Sequence, residues 1–231
     1  MTALTAGHVR RALAGGELEV VYQPEVDLLT GHIAAVEALV RWRRPGVGLG
    51  LPPEFIPLAE RTGQIREITA QVLRQALAQA ASWSTARWDG GALPVCINLS
   101  ATELADSELL GRITRILEEF SVPPTQLSVE ITESAPITDN ALAESTLRSL
   151  QEMGVRIALD DFGTGYSTLS HLRDLPVDVV KIDRRFIRGL THDSEDLSIV
   201  TAIIQMAHSR PRVVVAEGVE DTTQQQALVE V

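Results

Sequence analysis

The sequence predicts an α/β protein with a mostly parallel sheet, folded as one domain over residues 1–231. Short β-rich segments alternate with segments of helical apolar spacing, and the connections between them are short. The length of 231 residues suits one large domain, and 45% hydrophobic residues provide for a sizeable core. The sequence shows seven β-rich segments, one fewer than the eight strands of a (β/α) barrel. An open doubly wound sheet is therefore the alternative to a barrel.

The first half of the chain combines a β-hairpin with four helical patterns and two further strands. Residues 1–16 show a short helical pattern, and the β-rich runs 17–28 and 32–42 are separated by the turn residues Thr30 and Gly31. A loop rich in proline and glycine is expected over residues 44–53. The elements expected next are helices 55–62 and 65–83, strand 94–99, helix 106–120 and strand 127–132.

The second half continues the alternation of helix and strand. A helix over residues 140–153 is expected to stop at Gly154, because glycine readily ends a helix. The elements expected after it are strand 156–160, a short helix 167–172, strand 179–182, helix 194–209, strand 213–216 and helix 221–231.

The stretch RIALDDFGTGYS, residues 156–167, is the most informative part of the sequence. A short apolar strand ends in Asp160 and Asp161, and adjacent carboxylates are costly to bury unless a cation pairs with them. Successive strand residues face opposite ways, so the two acids share one site only if the backbone turns there. We expect the glycines that follow to supply the turn, which makes the loop a candidate metal and phosphate site.

Polar residues interrupt or close most of the predicted strands. They are Glu37, Asn98, Glu130, Asp160 with Asp161, Lys181 with Asp183, and Glu217. In a (β/α) barrel the carboxyl ends of the strands converge on one face, which holds the active site. Oxygen donors without histidine or cysteine favour Mg²⁺ or Mn²⁺ over zinc. Two such ions clamp the attacking and leaving oxygens of a phosphoryl transfer.

Simpler roles exist for single members of this set. Asn98, with Ser100 close behind it, is placed to cap the next helix, and Glu133 to cap the segment after its strand. Lys181 is able to run its stem along apolar surface and hold its charge in water. Because the same placement recurs on strand after strand, we favour a shared site.

Charge and cysteine content narrow the function classes. A net charge of -11 argues against broad binding of nucleic-acid polymers or anionic membranes, so a phosphate-bearing substrate needs local cations. Cys96 is the only cysteine, which excludes an internal disulfide and favours a reducing, cytoplasmic location. The sequence shows neither a signal peptide nor a membrane segment.

An ordered series of motifs runs through the chain. The motifs are YQP at 22–24, EALVRW at 37–42, FIPLAE at 55–60, INLS at 97–100, VEITES at 129–134, DDFGTGYS at 160–167, LPVDVVKID at 175–183 and VAEGVE at 215–220. This series resembles the EAL domain family of bacterial cyclic di-GMP phosphodiesterases. The tripeptide of residues 37–39 alone is a weak signal, whereas the series spans nearly the whole chain.

The resemblance implies roles for individual residues. The first metal-binding set corresponds to Glu37, Asn98, Glu130 and Asp160, and Asp161 reaches a second ion. Lys181 corresponds to the lysine that holds the nucleophilic water or a phosphate oxygen. Glu217 corresponds to a glutamate of the metal centre that has also been assigned as general base. The implied dinucleotide contacts are Gln23 and Arg41, and the residues implied to steady the loop are Glu133 and Asp183.

For the fold, the resemblance implies a modified TIM-like (β/α)8 barrel whose first strand is antiparallel to the others, in agreement with the predicted hairpin. Family domains continue past the segment that matches residues 221–231, so the last strand is expected to be absent from this chain. The implied reaction is hydrolysis of cyclic di-GMP to linear pGpG with two Mg²⁺ or Mn²⁺ ions.

Further expectations concern partners and alternatives. The resemblance implies a homodimer formed through residues 167–172 and 191–207, and sensory or GGDEF domains in a longer parent protein. A non-catalytic cyclic di-GMP receptor or protein-interaction module is the alternative function. An unrelated barrel enzyme that performs enolate chemistry with carboxylate-bound magnesium is a third, less favoured one.

Overall fold

A computed structural model describes residues 4–85, 92–132, 140–163 and 175–231. In these ranges the chain forms one curled, mostly parallel sheet with helices along its outside, so the predicted fold class is confirmed. The strands are β1 (Leu18–Val26), β2 (Ile33–Arg44), β3 (Gly48–Gly50), β4 (Val95–Asn98), β5 (Leu127–Thr132), β6 (Arg156–Phe162), β7 (Val179–Ile182) and β8 (Val213–Ala216).

Eight α-helices are described in the same ranges. They are α1 (Ala6–Gly15), α2 (Pro52–Arg61), α3 (Ile65–Thr85), α4 (Leu109–Phe120), α5 (Asn140–Glu152), α6 (Arg184–Gly189), α7 (Ser194–His208) and α8 (Thr222–Glu230). Two short 3₁₀ turns, Ala101–Glu103 and Pro124–Gln126, precede α4 and β5.

The strand order is β1-β2-β4-β5-β6-β7-β8, with β3 paired to β2 outside this path. β1 runs antiparallel to β2, whereas β2 and β4 to β8 are mutually parallel. The prediction of an antiparallel first strand is therefore confirmed. In the part of the chain that the structure describes, no pairing joins β8 to β1, and the sheet is an open curl.

Several sequence-based boundaries were wrong. Residues 48–50, predicted as loop, form β3, because the chain doubles back antiparallel to the end of β2. β6 continues to Phe162 instead of ending at residue 160, since Phe162 pairs with Ile182 of β7. The helix α6 was not predicted, and the short helix expected over residues 167–172 lies outside the described residues.

The core lies between the outer face of the sheet and the helices. Ile97, Val129 and Ile157 of three neighbouring strands are fully buried on that face. Helix α4 buries residues at i, i+4, i+7 and i+8, the period of an amphipathic helix, beginning with Leu109 and Ile113. Each fully buried aliphatic side chain of this kind stabilises the fold by roughly 1.5–3 kcal/mol. The opposite face of the sheet carries polar residues at alternating positions.

The outer edge of β1 is held by one side chain of α3. Gln75 accepts a hydrogen bond from the Val20 amide through Oε1 at 3.1 Å and donates from Nε2 to the Leu18 carbonyl at 3.0 Å. The Tyr22 hydroxyl also donates to the Gln75 carbonyl at 3.1 Å. Gln75 thus takes the place of a neighbouring strand, because it hydrogen-bonds an amide and a carbonyl of β1 that would be unpaired at a free sheet edge.

We expect Gln75→Ala to lower the free energy of unfolding by about 1–3 kcal/mol, because it leaves two partly buried backbone groups of β1 without partners. Chemical denaturation measures the effect. Gln79→Ala is the matched control, since the Gln79 amide donates to Ser82 on the same helix and not to any of the described strands. Equal losses for the two variants would contradict this role of Gln75.

Candidate active site

The ammonium group of Lys181 lies among carboxylates from four other segments of the chain. Lys181 Nζ is 2.8 Å from Glu217 Oε1, 3.0 Å from Glu130 Oε2, 3.2 Å from Glu37 Oε2 and 3.8 Å from Asp160 Oδ1. The lysine side chain is only 2% exposed. A buried cation of this kind is stable only when it is paired, and here the pairing is shared among several acids.

The register of the sheet explains why these side chains meet. Asn98 lies opposite Glu130 in the β4–β5 pair, and Lys181 is in register with Val215 of β8, two residues before Glu217. Residues paired across neighbouring strands point to the same face, so these positions all face the inside of the curl. The structure therefore brings together the predicted residues Glu37, Asn98, Glu130, Asp160, Asp161, Lys181 and Glu217.

Asn98 is oriented by its neighbour. Its Nδ2 donates to Glu37 Oε1 at 2.8 Å. The amide nitrogen is thereby directed to the glutamate, and the amide oxygen is left to accept a donor or to bind a cation. This placement favours a ligand role for Asn98 over the simple helix cap considered from the sequence. Ser100, rather than Asn98, caps the following turn by accepting from the Thr102 amide.

The backbone turn that joins the two aspartates occurs at Asp161 itself. Asp161 has φ of 56°, the left-handed region, and its amide donates to Asp160 Oδ1 at 2.9 Å. The expectation that the following glycines supply this turn was wrong, because the reversal begins one to two residues earlier. For a non-glycine residue this conformation costs about 1–2 kcal/mol. It places oxygens of Asp160, Asp161 and Glu217 within 4.8 Å of one another.

Asp183 supports the Asp161 turn from the start of α6. Its Oδ1 accepts from the Arg185 amide at 2.8 Å, which caps the helix. Burial raises the pKa of Asp161, and a side-chain hydrogen bond with Asp183 raises it further. The two carboxyl groups thus share a proton-mediated contact. Asp183 touches Asp161 and is not among the acids around Lys181.

Two glycines allow the loops after β6 and β8 to pack against α6. Gly163 has φ of 95°, and a Cβ there would lie 2.7 Å from Phe186 Cε2. Gly218 has φ of 70°, and a Cβ there would lie 2.7 Å from Arg184 Cβ. Both positions require glycine for backbone conformation and for space. They hold the ends of β6 and β8 close to α6.

Burial and charge shift the proton affinities of the site strongly. Desolvation raises the pKa of Glu130 to about 8, although the attraction of Lys181 opposes the shift. Desolvation also raises the pKa values of Asp160 and Glu217. Burial alone would lower the pKa of Lys181, but the attraction of the surrounding carboxylates raises it. One lysine faces an excess of acids, so the site attracts further cations.

These shifts predict a pH-dependent stability of the chelator-treated protein. Folded Glu130 keeps its proton at pH values where the unfolded carboxyl, with a pKa of 4.5, has lost it, so stability falls as pH rises toward about 8. We expect the free energy of unfolding in urea to drop by about 1 kcal/mol per pH unit between about pH 6 and pH 8. Glu130→Gln should remove most of this slope. A stability that rises with pH over this range would contradict the prediction.

The donors present fit hard divalent cations. Asp160, Asp161 and Glu217 offer carboxylate oxygens close to one another, and Asn98 adds an amide oxygen. Such oxygen ligands suit Mg²⁺ and Mn²⁺. A divalent cation would also offset the negative charge that Lys181 alone does not balance.

Gln23 and Arg41, the predicted substrate contacts, lie on the same face as the acids but outside the Lys181 cluster. Gln23 is exposed and directly opposite Glu37 in the β1–β2 pair. Arg41 follows Glu37 by four residues, roughly 13 Å along β2, and its Nη1 donates to the Val40 carbonyl at 2.9 Å. Glu133, predicted to steady the loop, lies outside the described residues.

Two residues that the sequence reasoning did not assign to the site also face it. Glu25 of β1 points inward two residues beyond Gln23, and Cys96 of β4 lies in register with Glu37. Sulfur and carboxylate oxygens of Glu25, Cys96 and Glu130 lie within 4.8 Å of one another. The alternation of Gln23 with Glu25, and of Cys96 with Asn98, was the signal available in the sequence.

Comparison with known proteins identifies the family. The family model described as the EAL domain matches residues 6–231. The chain belongs to the EAL domain family. Among curated relatives of this EAL domain, the cyclic di-GMP phosphodiesterase PA2567 of Pseudomonas aeruginosa is 42% identical over 200 residues, covering 87% of this chain and 34% of the relative. The bifunctional diguanylate cyclase/cyclic di-GMP phosphodiesterase MucR of the same organism is 42% identical over 222 residues, covering 95% of this chain and 32% of MucR.

Solved structures agree with this assignment. The EAL domain aligns with the phosphodiesterase PaMucR in complex with c-di-GMP at a TM-score of 0.88 and 41% identity, covering 97% of this chain and 90% of that one. It aligns with the EAL enzyme Bd1971, bound to cAMP and cyclic di-GMP, at a TM-score of 0.91 and 29% identity, covering 97% and 61%. The chain spans about a third of the length of the first curated relatives it matches. Among the described helices, none combines the length and apolarity needed to cross a membrane.

Proposed function

We propose that this EAL domain is a metal-dependent phosphodiesterase that hydrolyses one phosphodiester bond of cyclic di-GMP and yields linear pGpG. The observation that carries the proposal is the meeting of Glu37, Glu130, Asp160 and Glu217 around the buried Lys181 at one end of the parallel strands. The phosphodiesterase names of relatives at 42% identity support the same activity. We place the reaction in the cytoplasm.

Two Mg²⁺ or Mn²⁺ ions are proposed as cofactors. Glu37, Asn98, Glu130 and Asp160 would hold one ion, and Asp161, which lies close to Asp160 and Glu217, would hold the second. When bound, such ions lower the pKa of a water and neutralise charge that develops on phosphate oxygens. Asp183 would keep Asp161 in its left-handed conformation, and Glu133 is proposed to stabilise the same loop.

Lys181 and Glu217 are the proposed catalytic side chains beside the metal ligand Glu37. Lys181 would donate hydrogen bonds to the attacking water or to a phosphate oxygen, from a position fixed by its carboxylate neighbours. Glu217 is half-buried, and burial raises its pKa above the usual carboxyl range, the direction that suits a general base. Gln23 and Arg41 would bind the dinucleotide, Arg41 through its planar cation on a phosphate.

The metal-dependent turnover is directly testable. Purified protein with Mg²⁺ or Mn²⁺ should convert cyclic di-GMP to pGpG, as measured by chromatography of the nucleotides, and excess chelator should abolish product formation. The physical reason is that, without a divalent cation, the carboxylates around Lys181 repel the negatively charged phosphodiester. Binding of cyclic di-GMP without product would contradict the enzymatic proposal and identify a receptor.

A homodimer formed around residues 191–207, a range that includes most of α7, is the proposed assembly. The parent protein is proposed to carry sensory or GGDEF domains beside this one, since the chain covers only about a third of its first curated relatives. Mass measurement in solution at increasing protein concentration tests the dimer, and a monomeric mass throughout would contradict it.

A further inference from the structure

A second group of potential ligands lies next to the acids around Lys181, and it contains sulfur. Cys96 is buried in β4, in register with Glu37 on one side and Ser128 on the other. Glu25 reaches the same region from β1, which runs in the opposite direction to the other strands. Donor atoms of Glu25, Cys96 and Glu130 lie within 4.8 Å of one another.

Glu130, which lies between this group and the acids around Lys181, has an oxygen that is left without a partner in the described part of the chain. The residue is 1% exposed, and its Oε2 accepts from Lys181 Nζ at 3.0 Å. Its Oε1 is buried, and within the described residues it has no hydrogen-bond partner. A buried carboxylate oxygen without a partner costs free energy that a bound cation would recover.

We propose that Glu25, Cys96 and Glu130 form a site for a borderline-soft divalent cation such as Zn²⁺ or Co²⁺. A cysteine ligand distinguishes this site from the oxygen ligands of Asp160, Asp161 and Glu217, because thiolate prefers softer metals than Mg²⁺. Zinc bonds are about 2.3 Å long to sulfur and about 2.0–2.2 Å long to carboxylate oxygen. The two glutamate side chains would have to move only slightly toward the Cys96 sulfur to reach these distances.

Cation binding at this site is balanced by the loss of protons, one from the thiol of Cys96 and, below about pH 8, one from the carboxyl of Glu130. The thiol of Cys96 releases its proton to solvent as the sulfur–metal bond forms, and the oxidation state of neither atom changes. The remaining coordination positions would be filled by water or by a second oxygen of a glutamate. Because Glu130 is also a proposed ligand of the first Mg²⁺ or Mn²⁺ ion, a cation held here competes with that ion for this one side chain.

Cobalt provides a readout that is independent of turnover. A thiolate bound to Co²⁺ produces a sulfur-to-metal charge-transfer band in the near ultraviolet, and Cys96 is the only cysteine in the chain, so the band reports on this site alone. Titration of metal-free protein with CoCl₂ should produce a saturating band with one cobalt per chain. Cys96→Ser should lose the band.

Matched variants test the two carboxylates. Glu25→Gln should weaken cobalt binding at least about tenfold, because it removes the charge of one of the two carboxylate ligands. Glu217→Gln should keep the band, since Glu217 lies in the other group. Cys96→Ala, compared with Cys96→Ser by circular dichroism, controls for folding.

Two results would overturn the proposal. One is the absence of a charge-transfer band in folded wild-type protein at any cobalt concentration below precipitation. The other is an unchanged cobalt affinity in Glu25→Gln. Neither result bears on cyclic di-GMP hydrolysis, so failure of this site and failure of the proposed function are distinguishable.

Discussion

Glu37→Gln is expected to lower turnover of cyclic di-GMP at least about 100-fold with Mg²⁺ or Mn²⁺ at saturation. The substitution keeps the shape of the side chain and its hydrogen-bonding capacity toward Asn98, but it removes a charge that would hold the metal and that pairs with Lys181. Initial rates of pGpG formation measure the loss. The rate should fall more than the affinity for cyclic di-GMP, because the dinucleotide contacts proposed for Gln23 and Arg41 are unchanged.

Glu144→Gln is the matched control for this experiment. Glu144 lies on α5 and forms an exposed i,i+4 pair with Arg148, outside the group of acids that contact Lys181. Its replacement should leave turnover within about twofold of wild type, since exposed pairs contribute little. Equal activity of Glu37→Gln and Glu144→Gln would refute the assignment of Glu37 to the metal centre.

Lys181→Met is expected to destabilise the metal-free protein by about 3–5 kcal/mol near pH 8, because it removes the cation shared by the buried and half-buried carboxylates. Chemical denaturation in the presence of chelator measures the change. The loss should be smaller near pH 5, where burial keeps Glu130 protonated and less charge is left unpaired.

A double variant separates charge from packing in the same position. Lys181→Met with Glu130→Gln should recover part of the lost stability, since one of the unpaired acids is then neutral. No recovery would indicate that Lys181 stabilises the protein through packing of its aliphatic stem, and the ionic explanation would fail. Divalent cations should also restore stability to the single variant, as they supply the missing positive charge.

Much of the site could be predicted because strand ends converge in a parallel sheet. The rule located Glu130, Asp160 and Lys181 as polar residues that interrupt or close their strands. It did not locate Glu25, because β1 is antiparallel to the other strands, so its last residues lie beside the start of β2 and not beside its carboxyl end. Cys96 was read as a member of an apolar run, although alternation places it on the inner face with Asn98.

Local backbone geometry was the other part that the sequence did not reveal. The left-handed conformation of Asp161 depends on tertiary contacts with Asp160 and Asp183, and aspartate has no strong intrinsic preference for it. The hairpin strand β3 is only three residues long, too short for an alternation pattern to stand out. The predicted motifs therefore indicated which side chains meet in the site better than they indicated the path of the backbone between them.

The lysine at the centre of the site is also the only lysine among the 231 residues, whose other positive side chains at neutral pH are arginines. Isotopic labelling of lysine alone would therefore place a single side-chain NMR signal in the protein, located where substrate and metals are proposed to bind. Amine-reactive cross-linkers and acetylating reagents would find no accessible side chain on the described surface. Immobilisation or labelling of this chain must rely on carboxyl chemistry, an added tag or the amino terminus.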